Sequence, residues 1–206
     1  MKLTGLMLLS ATTALAGDPR AEFLKMIDRP RVALTPEVRE MPAPEGMYQI
    51  HFTIAVEEGE RVPGILLRQA AAQRRPVVIA LHGTGGNKEG QLPLLKELAA
   101  KGFTAIAIDG RYHGERSKAG KGSDDYQAAM LATYRTGKGR PFLYDTVWDV
   151  QRLIDYLETR EDVDAKRIGA IGFSKGGMEL YLAAAVEPRI AVAVPCIGVQ
   201  SFRWAI

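Results

Sequence analysis

The sequence predicts an α/β protein: a doubly wound, mostly parallel sheet with an antiparallel hairpin on its N-terminal side. Three observations lead there. Val77–Leu81 and Phe103–Ile108 are short apolar, β-prone runs of the kind a sheet buries on both faces, and Arg167–Ile171 is a third β-prone segment. Stretches with helical spacing separate them, with Leu92, Leu94, Leu95 and Leu98 in one and Val147, Val150, Ile154 and Leu157 in another. The resulting order, a hairpin and then βαβαβαβ, fits right-handed crossovers onto one sheet.

Taken in order, the chain opens with Lys2, an apolar or small stretch over Leu3–Leu15, and Ala14-Leu15-Ala16 before Gly17. That is the pattern of a secretory leader over residues 1–16. It predicts a secreted or periplasmic protein, and without it a cytoplasmic one. Residues 17–46 carry Arg29-Pro30-Arg31, Thr35-Pro36 and Met41-Pro42-Ala43-Pro44. Proline interrupts backbone hydrogen bonding, so this segment reads as an arm over the domain, with room for a short helix over Ala21–Ile27. The domain proper then spans residues 47–206.

Tyr48–Val56 and Arg61–Arg68, joined by Glu57-Glu58-Gly59-Glu60, read as the antiparallel hairpin. Val77–Leu81 is the first interior strand and His82-Gly83-Thr84-Gly85-Gly86 the loop at its end. Asn87 can cap the helix that follows, and Gly102 suits the position just after it. Phe103–Ile108 is the next strand. Gly110–Gly139 reads as a long polar loop with one helical turn near Tyr126–Ala132. Leu143–Thr159 is an amphipathic helix, on which Asp145, Asp149 and Asp155 read as the polar face. Arg167–Ile171 is the fifth strand, Met178–Val186 the helix behind it, and Ile190–Val194 starts the sixth. The fold is thus expected to stop after its sixth strand.

Composition removes several function classes. The chain has 206 residues, 47% hydrophobic and 25% charged, with a net charge of +3. Its 27 basic residues are spread thinly, and clusters such as Arg74-Arg75 are too short for a nucleic-acid surface. No apolar run reaches the roughly 18 residues of a membrane span. Cys196 is the only cysteine, so no internal disulfide can form. It reads as a small buried apolar residue. The three histidines, His51, His82 and His113, share no ligand spacing with cysteines or carboxylates, so neither a metal nor a cofactor is expected.

The chemistry concentrates at the ends of the strands. Gly172-Phe173-Ser174-Lys175-Gly176 sits directly between a predicted strand and a predicted helix. A serine there occupies a strained turn that lifts its hydroxyl above the sheet, and Gly172 and Gly176 keep side chains out of the crossing. The plainer reading is a glycine-rich βα turn that binds phosphate. Strand–turn–helix placement favours Ser174 as a nucleophile. His82–Gly86 follows the interior strand, where Gly83 is structural and the amide of Thr84 can join that of Lys175 as an oxyanion hole. His82 reads as a ring that shapes this loop rather than as a base. In Asp109-Gly110-Arg111-Tyr112-His113-Gly114-Glu115-Arg116, Asp109 and Arg111 are expected to pair and hold the loop. His113 is a candidate substrate-binding residue, with loop architecture as its alternative.

His82–Gly86, the DGRYHGERS stretch, RIGAIGFSKGG and the closing IGVQSFRWAI together resemble the dienelactone hydrolase and acetyl xylan esterase branch of the α/β-hydrolases. Similar motifs occur in prolyl-oligopeptidase-type domains. The resemblance covers about Tyr48–Ile206. It implies a carboxylic ester hydrolase working through an acyl-enzyme, with a small-molecule or carbohydrate ester as substrate and no cofactor. A peptidase or acyltransferase on the same fold is the first alternative, and a non-catalytic fragment the second. The fold places the triad in the order Ser, acid, His, yet no histidine follows Ser174. Ile190–Val194 has the apolar pattern of a strand covered on both faces, whereas edge strands are normally protected by charge. Both points lead to the expectation of a continuation beyond Ile206 that carries the acid and the base.

Overall fold

The computed structural model describes residues 17–71, 73–118, 120, 123–138 and 142–198. The leader read over residues 1–16 and the end of the closing motif, 199–206, lie outside the described residues.

The elements follow in the order α1 (Pro19–Ile27), β1 (Glu37–Met41), β2 (Met47–Glu57), β3 (Glu60–Gln69), β4 (Arg75–Leu81), α2 (Leu92–Ala100), β5 (Thr104–Ile108), α3 (Asp124–Thr136), α4 (Phe142–Glu158), β6 (Val163–Phe173), α5 (Lys175–Val186) and β7 (Ile190–Cys196). Short 3-10 turns occupy Glu89–Gln91 and Gly114–Arg116. The strands form one sheet in the order β1-β2-β3-β5-β4-β6-β7. β2 and β3 are the expected antiparallel hairpin, and β3 pairs antiparallel with β5. From β5 through β4 and β6 to β7 all pairing is parallel.

Three features depart from the sequence expectation. The described sheet has seven strands, because the proline-rich arm contains β1. Its prolines flank Glu37–Met41 without entering it, and the strand runs antiparallel on the outer side of β2, where a missing donor at either end costs nothing. The polar stretch after β5 holds a helix of 13 residues rather than one turn. Asp124 and Asp125 lie in its first turn and Gly137, at φ 60°, closes it, two signals at opposite ends of a weakly apolar segment. Only Tyr126 of α3 is buried. Finally, Cys196, read as a small buried apolar residue, is only half-buried; it ends β7, the last strand of the described sheet, on which Val192 is 61% exposed and Val194 44% exposed.

The sheet separates two cores. On one face Val77, Ile79 and Leu81 of β4 pack with Trp148, Leu153 and Ile154 of α4 and with Leu180 and Ala183 of α5. Trp148 is fully enclosed and donates its indole N–H to the carbonyl of Val56 at 2.9 Å. α1 adds Phe23, which meets Tyr144 edge-on at 5.1 Å. On the other face Ala80, Ala105 and Ala107 pack with Leu95 and Ala99 of α2. Small residues in β5 let α2 lie close.

Candidate active site

The carboxyl ends of β4, β5 and β6 bring the three loops of interest together. Strand order explains why: β5 lies on one side of β4 and β6 on the other, so the connections leave β4 in opposite directions and open a crevice above it.

Ser174 stands between β6 and α5 with φ 51° and ψ −115°. A serine at positive φ is strained by about 1–3 kcal/mol, so the surroundings must hold it. Its amide donates to the carbonyl of Cys196 at 2.9 Å, and its carbonyl accepts from Met178 N–H at 3.0 Å. Its side chain is exposed and caps no amide of α5. The neighbouring glycines are steric requirements. A Cβ on Gly172 would lie 2.1 Å from the carbonyl oxygen of Gly176, and one on Gly176 would lie 2.4 Å from that of Leu81. β6, α5 and β4 therefore touch backbone to backbone beneath the serine. The N–H of Lys175 is the first of α5, among those a helix leaves without an internal acceptor.

The 82–88 loop lies against this turn. A Cβ on Gly83 would be 3.4 Å from the carbonyl oxygen of Phe173 and 3.5 Å from Cβ of Ser174. Thr84, next in the chain, is exposed. The loop that carries Thr84 and the turn of Ser174 and Lys175 thus meet at one corner of the molecule.

His82 is 2% exposed. Its Nε2 accepts the N–H of Gly110 at 3.0 Å, so the ring proton sits on Nδ1, which donates to the carbonyl of Gly83 at 2.8 Å. Burial, and next the ammonium of Lys175, push its pKa down to about 3. The ring is a neutral brace between two loops. His113 is fully enclosed, and its Nδ1 donates to the carbonyl of Arg111 at 2.8 Å. Burial again lowers its pKa. Its Nε2 has no hydrogen-bond partner among the described residues. Complete enclosure favours the architectural reading of His113 over substrate contact. His51 is bound instead to Glu115, at 2.7 Å.

These buried neutral rings make stability depend on pH. The unfolded imidazole takes up a proton near pH 6.5, whereas folded His82 does so only near 3. The contribution is therefore complete above about pH 6.5 and is lost as pH falls toward 3, at about 1.4 kcal/mol per pH unit. Urea midpoints measured at pH 7 and pH 5 should fall accordingly and the His82→Gln variant should show a flatter dependence. Equal slopes in the two proteins would contradict this account.

Two ionic arrangements correct the sequence reading. Asp109 and Arg111 do not pair. Asp109, fully buried, accepts from Lys88 N–H and from Lys88 Nζ, each at 2.8 Å, and from Glu115 N–H at 3.0 Å. It joins the loop after β4 to the loop after β5. Burial alone would lower the pKa of Lys88, but Asp109, Glu115 and Glu89 raise it. Arg111 instead reaches Asp149 at 3.1 Å and Glu57 at 2.5 Å. Asp149 is accordingly no part of a solvated helix face: it is fully buried and also meets Arg116 at 2.6 Å. Asp145 and Asp155 are partly buried, ion-paired to Arg29 and Arg31 respectively.

A third arrangement was not anticipated. The side chain of Lys175 turns inward to the buried Glu179, 2.9 and 3.0 Å from its two oxygens, and Thr146 of α4 donates to the same carboxylate at 2.9 Å. Burial raises the pKa of Glu179 despite that ammonium. Lys and Glu four apart on an otherwise apolar helix were the available signal.

The fold and this corner invite comparison with known proteins. A family profile described as the alpha/beta hydrolase fold matches residues 76–196, more than half of the chain. The chain belongs to the α/β-hydrolase family. YtaP of Bacillus subtilis (strain 168), provisionally named a hydrolase, is 32% identical to this α/β-hydrolase over 132 residues, 58% of the chain and 42% of YtaP. A 4-O-methyl-glucuronoyl methylesterase of Podospora anserina is 29% identical over 154 residues, 73% of the chain and 28% of the methylesterase. Among solved structures, an acetyl xylan esterase from Paenibacillus sp. R4 superposes with a TM-score of 0.63 at 21% identity, over 85% of this chain and 56% of that one. At that identity the likeness concerns the fold. The matched regions make up about half or less of the relatives' own length.

Proposed function

We propose that this α/β-hydrolase cleaves carboxylic esters through an acyl-enzyme on Ser174. The observation that carries the reading is the position of Ser174: an exposed, non-glycine residue at φ 51° where β6 meets α5, with Gly83 alongside. In the proposed step Oγ attacks the ester carbonyl carbon and the amides of Thr84 and Lys175 hold the developing oxyanion. Two preorganised donors of this sort are worth about 3–4 kcal/mol each to the transition state. The C–O bond to the alcohol then breaks, the alcohol leaves with a proton, and water hydrolyses the acyl-serine. Among the described residues no imidazole bonds Ser174, so the proposal assigns the nucleophile and the oxyanion amides but no general base. Without a base, turnover by residues 1–206 alone is expected to stay near about 10³–10⁴ over water. The names of the relatives point to carbohydrate esters as the substrate class. With the leader read over residues 1–16, the enzyme would act outside the cytoplasm. No helix among the described residues is long and apolar enough to cross a membrane.

A fluorophosphonate probe followed by peptide mass spectrometry should place its adduct on Ser174, and Ser174→Ala should abolish it. Labelling that survives the substitution would remove the assignment. Aryl acetates should be cleaved faster than peptide amides. The reverse order would favour a peptidase.

A further inference from the structure

We propose that Glu179 is a positioning residue for the Ser174 turn, acting through the ammonium of Lys175. The inference rests on the reading of Ser174 and of the Lys175 amide given above.

Lys175 is the first residue of α5, and Glu179 faces the same side one turn further on; both are enclosed, 1% and 2% exposed. One carboxylate oxygen accepts from Lys175 Nζ at 2.9 Å and from the hydroxyl of the buried Thr146 in α4, also at 2.9 Å. The other accepts from Lys175 Nζ at 3.0 Å. The ammonium also packs against the start of the loop after β5: a Cβ on Gly110 would lie 2.9 Å from Nζ. Gly110 in turn donates its N–H to His82. A continuous set of contacts thus runs from α4 through Glu179 to the residue that follows Ser174, and on to the two loops of the crevice.

Docking of α5 does not explain the pair. Leu180, Ala183 and Val186 already bury the apolar side of the helix. An ion pair enclosed this fully loses much of its Coulomb attraction to desolvation, and apolar residues of similar volume often serve stability as well or better. The first turn of α5 has a different need. Gly176 and Gly177 allow close approach but offer no side chain with which to hold on, and glycine disfavours helix. Ser174, at φ 51°, adds strain that opening of the turn would release. Lys175 supplies the hold: its side chain is tied to Glu179, and Glu179 to Thr146. The turn thereby stays closed and the Lys175 N–H keeps its direction.

The test uses the full chain with Glu179→Gln and the double variant Lys175→Met with Glu179→Leu; Tyr181→Phe, on the exposed side of the same helix, serves as control. Glu179→Gln should lower the maximal rate of fluorophosphonate labelling at Ser174 about tenfold, with the half-saturating probe concentration unchanged. Exchange of the Ser174 and Met178 amides, which donate to the carbonyls of Cys196 and Ser174, should quicken about tenfold. The double variant should melt within about 2 °C of wild type or above it, yet label as slowly as Glu179→Gln. That combination separates positioning from stability. Labelling of the double variant at the wild-type rate overturns the proposal, as does unchanged exchange in Glu179→Gln. A higher half-saturating concentration with the maximal rate unchanged also overturns it, assigning the pair to probe binding. If the wild-type chain is not labelled at Ser174 but exchange responds as expected, the hold on the turn stands and the nucleophile reading falls.

Discussion

Gly172→Ala should abolish fluorophosphonate labelling of Ser174 and cost the fold about 3 kcal/mol or more. The added methyl carbon would lie 2.1 Å from the carbonyl oxygen of Gly176, 2.5 Å from its carbonyl carbon and 2.9 Å from the nitrogen of Gly177. All three are backbone atoms in the first turn of α5, so no side-chain rotation relieves the overlap. Either α5 moves away from β6 or the turn at Ser174 opens. α5 cannot move freely, because a Cβ on Gly176 would already be 2.4 Å from the carbonyl oxygen of Leu81 in β4. The strain therefore falls on the turn. A displacement of about 1 Å at the proposed nucleophile costs on the order of 10² in rate before any loss of stability is counted. Thermal unfolding and labelling kinetics measure the two effects separately. A variant that melts within about 1 °C of wild type and labels at the wild-type rate would show that the three-way backbone contact beneath Ser174 is not as described.

Asp149→Ala has the second large effect, about 3–5 kcal/mol, read as a fall in melting temperature on the order of 10 °C. Asp149 is fully buried and holds two guanidiniums, Arg111 at 3.1 and 3.2 Å and Arg116 at 2.6 Å. Without it two cations are left in contact across a cavity. Arg111 retains Glu57, and Arg116 retains the more exposed Glu60 at 3.1 Å and the backbone carbonyl of Asp109 at 3.3 Å. The same pair of arginines governs acid behaviour. Burial alone would raise the carboxyl pKa, yet Arg116 and Arg111 hold it below the usual aspartate value. A lowered carboxyl pKa gives stability that is present above about pH 4 and disappears as pH falls through the folded value. Acid unfolding of the wild type below about pH 4 should therefore be blunted in the variant. A loss under about 1 kcal/mol would mean that these charges are mutually screened by solvent.

Which features were legible in the sequence follows from the range of the interactions behind them. Val77–Leu81 and Phe103–Ile108 announce interior strands because their composition is set by what lies directly above and below. The hairpin and the long helix over Leu143–Thr159 are periodic for the same local reason. β1 is not legible: Glu37–Met41 is mostly charged, bordered by proline, and becomes a strand only because β2 offers it a ladder. Asp149 looks like any acid on a helix until Arg111 and Arg116, more than 30 residues away, are folded against it. Asp109 was singled out, but its partner is Lys88 on another loop, a choice that depends on how two strand ends sit side by side. The candidate site divides similarly. Ser174 and its glycines are marked by local spacing, because the crossing they permit is local. Tyr126, whose ring meets that of His113, lies in a segment read mostly as loop, and no spacing rule connects the two.

α3 bears on how such a site can be altered. Through Tyr126 it meets His113 of the loop after β5, and that loop is fixed elsewhere, by Lys88 with Asp109 and by His82 with Gly110. Beyond Tyr126 it commits no side chain to the interior. Selection can therefore lengthen, shorten or exchange this helix almost as a cartridge, provided the aromatic ring against His113 is kept. The Ser174 turn and this helix lie on parts of the chain that can evolve at different speeds.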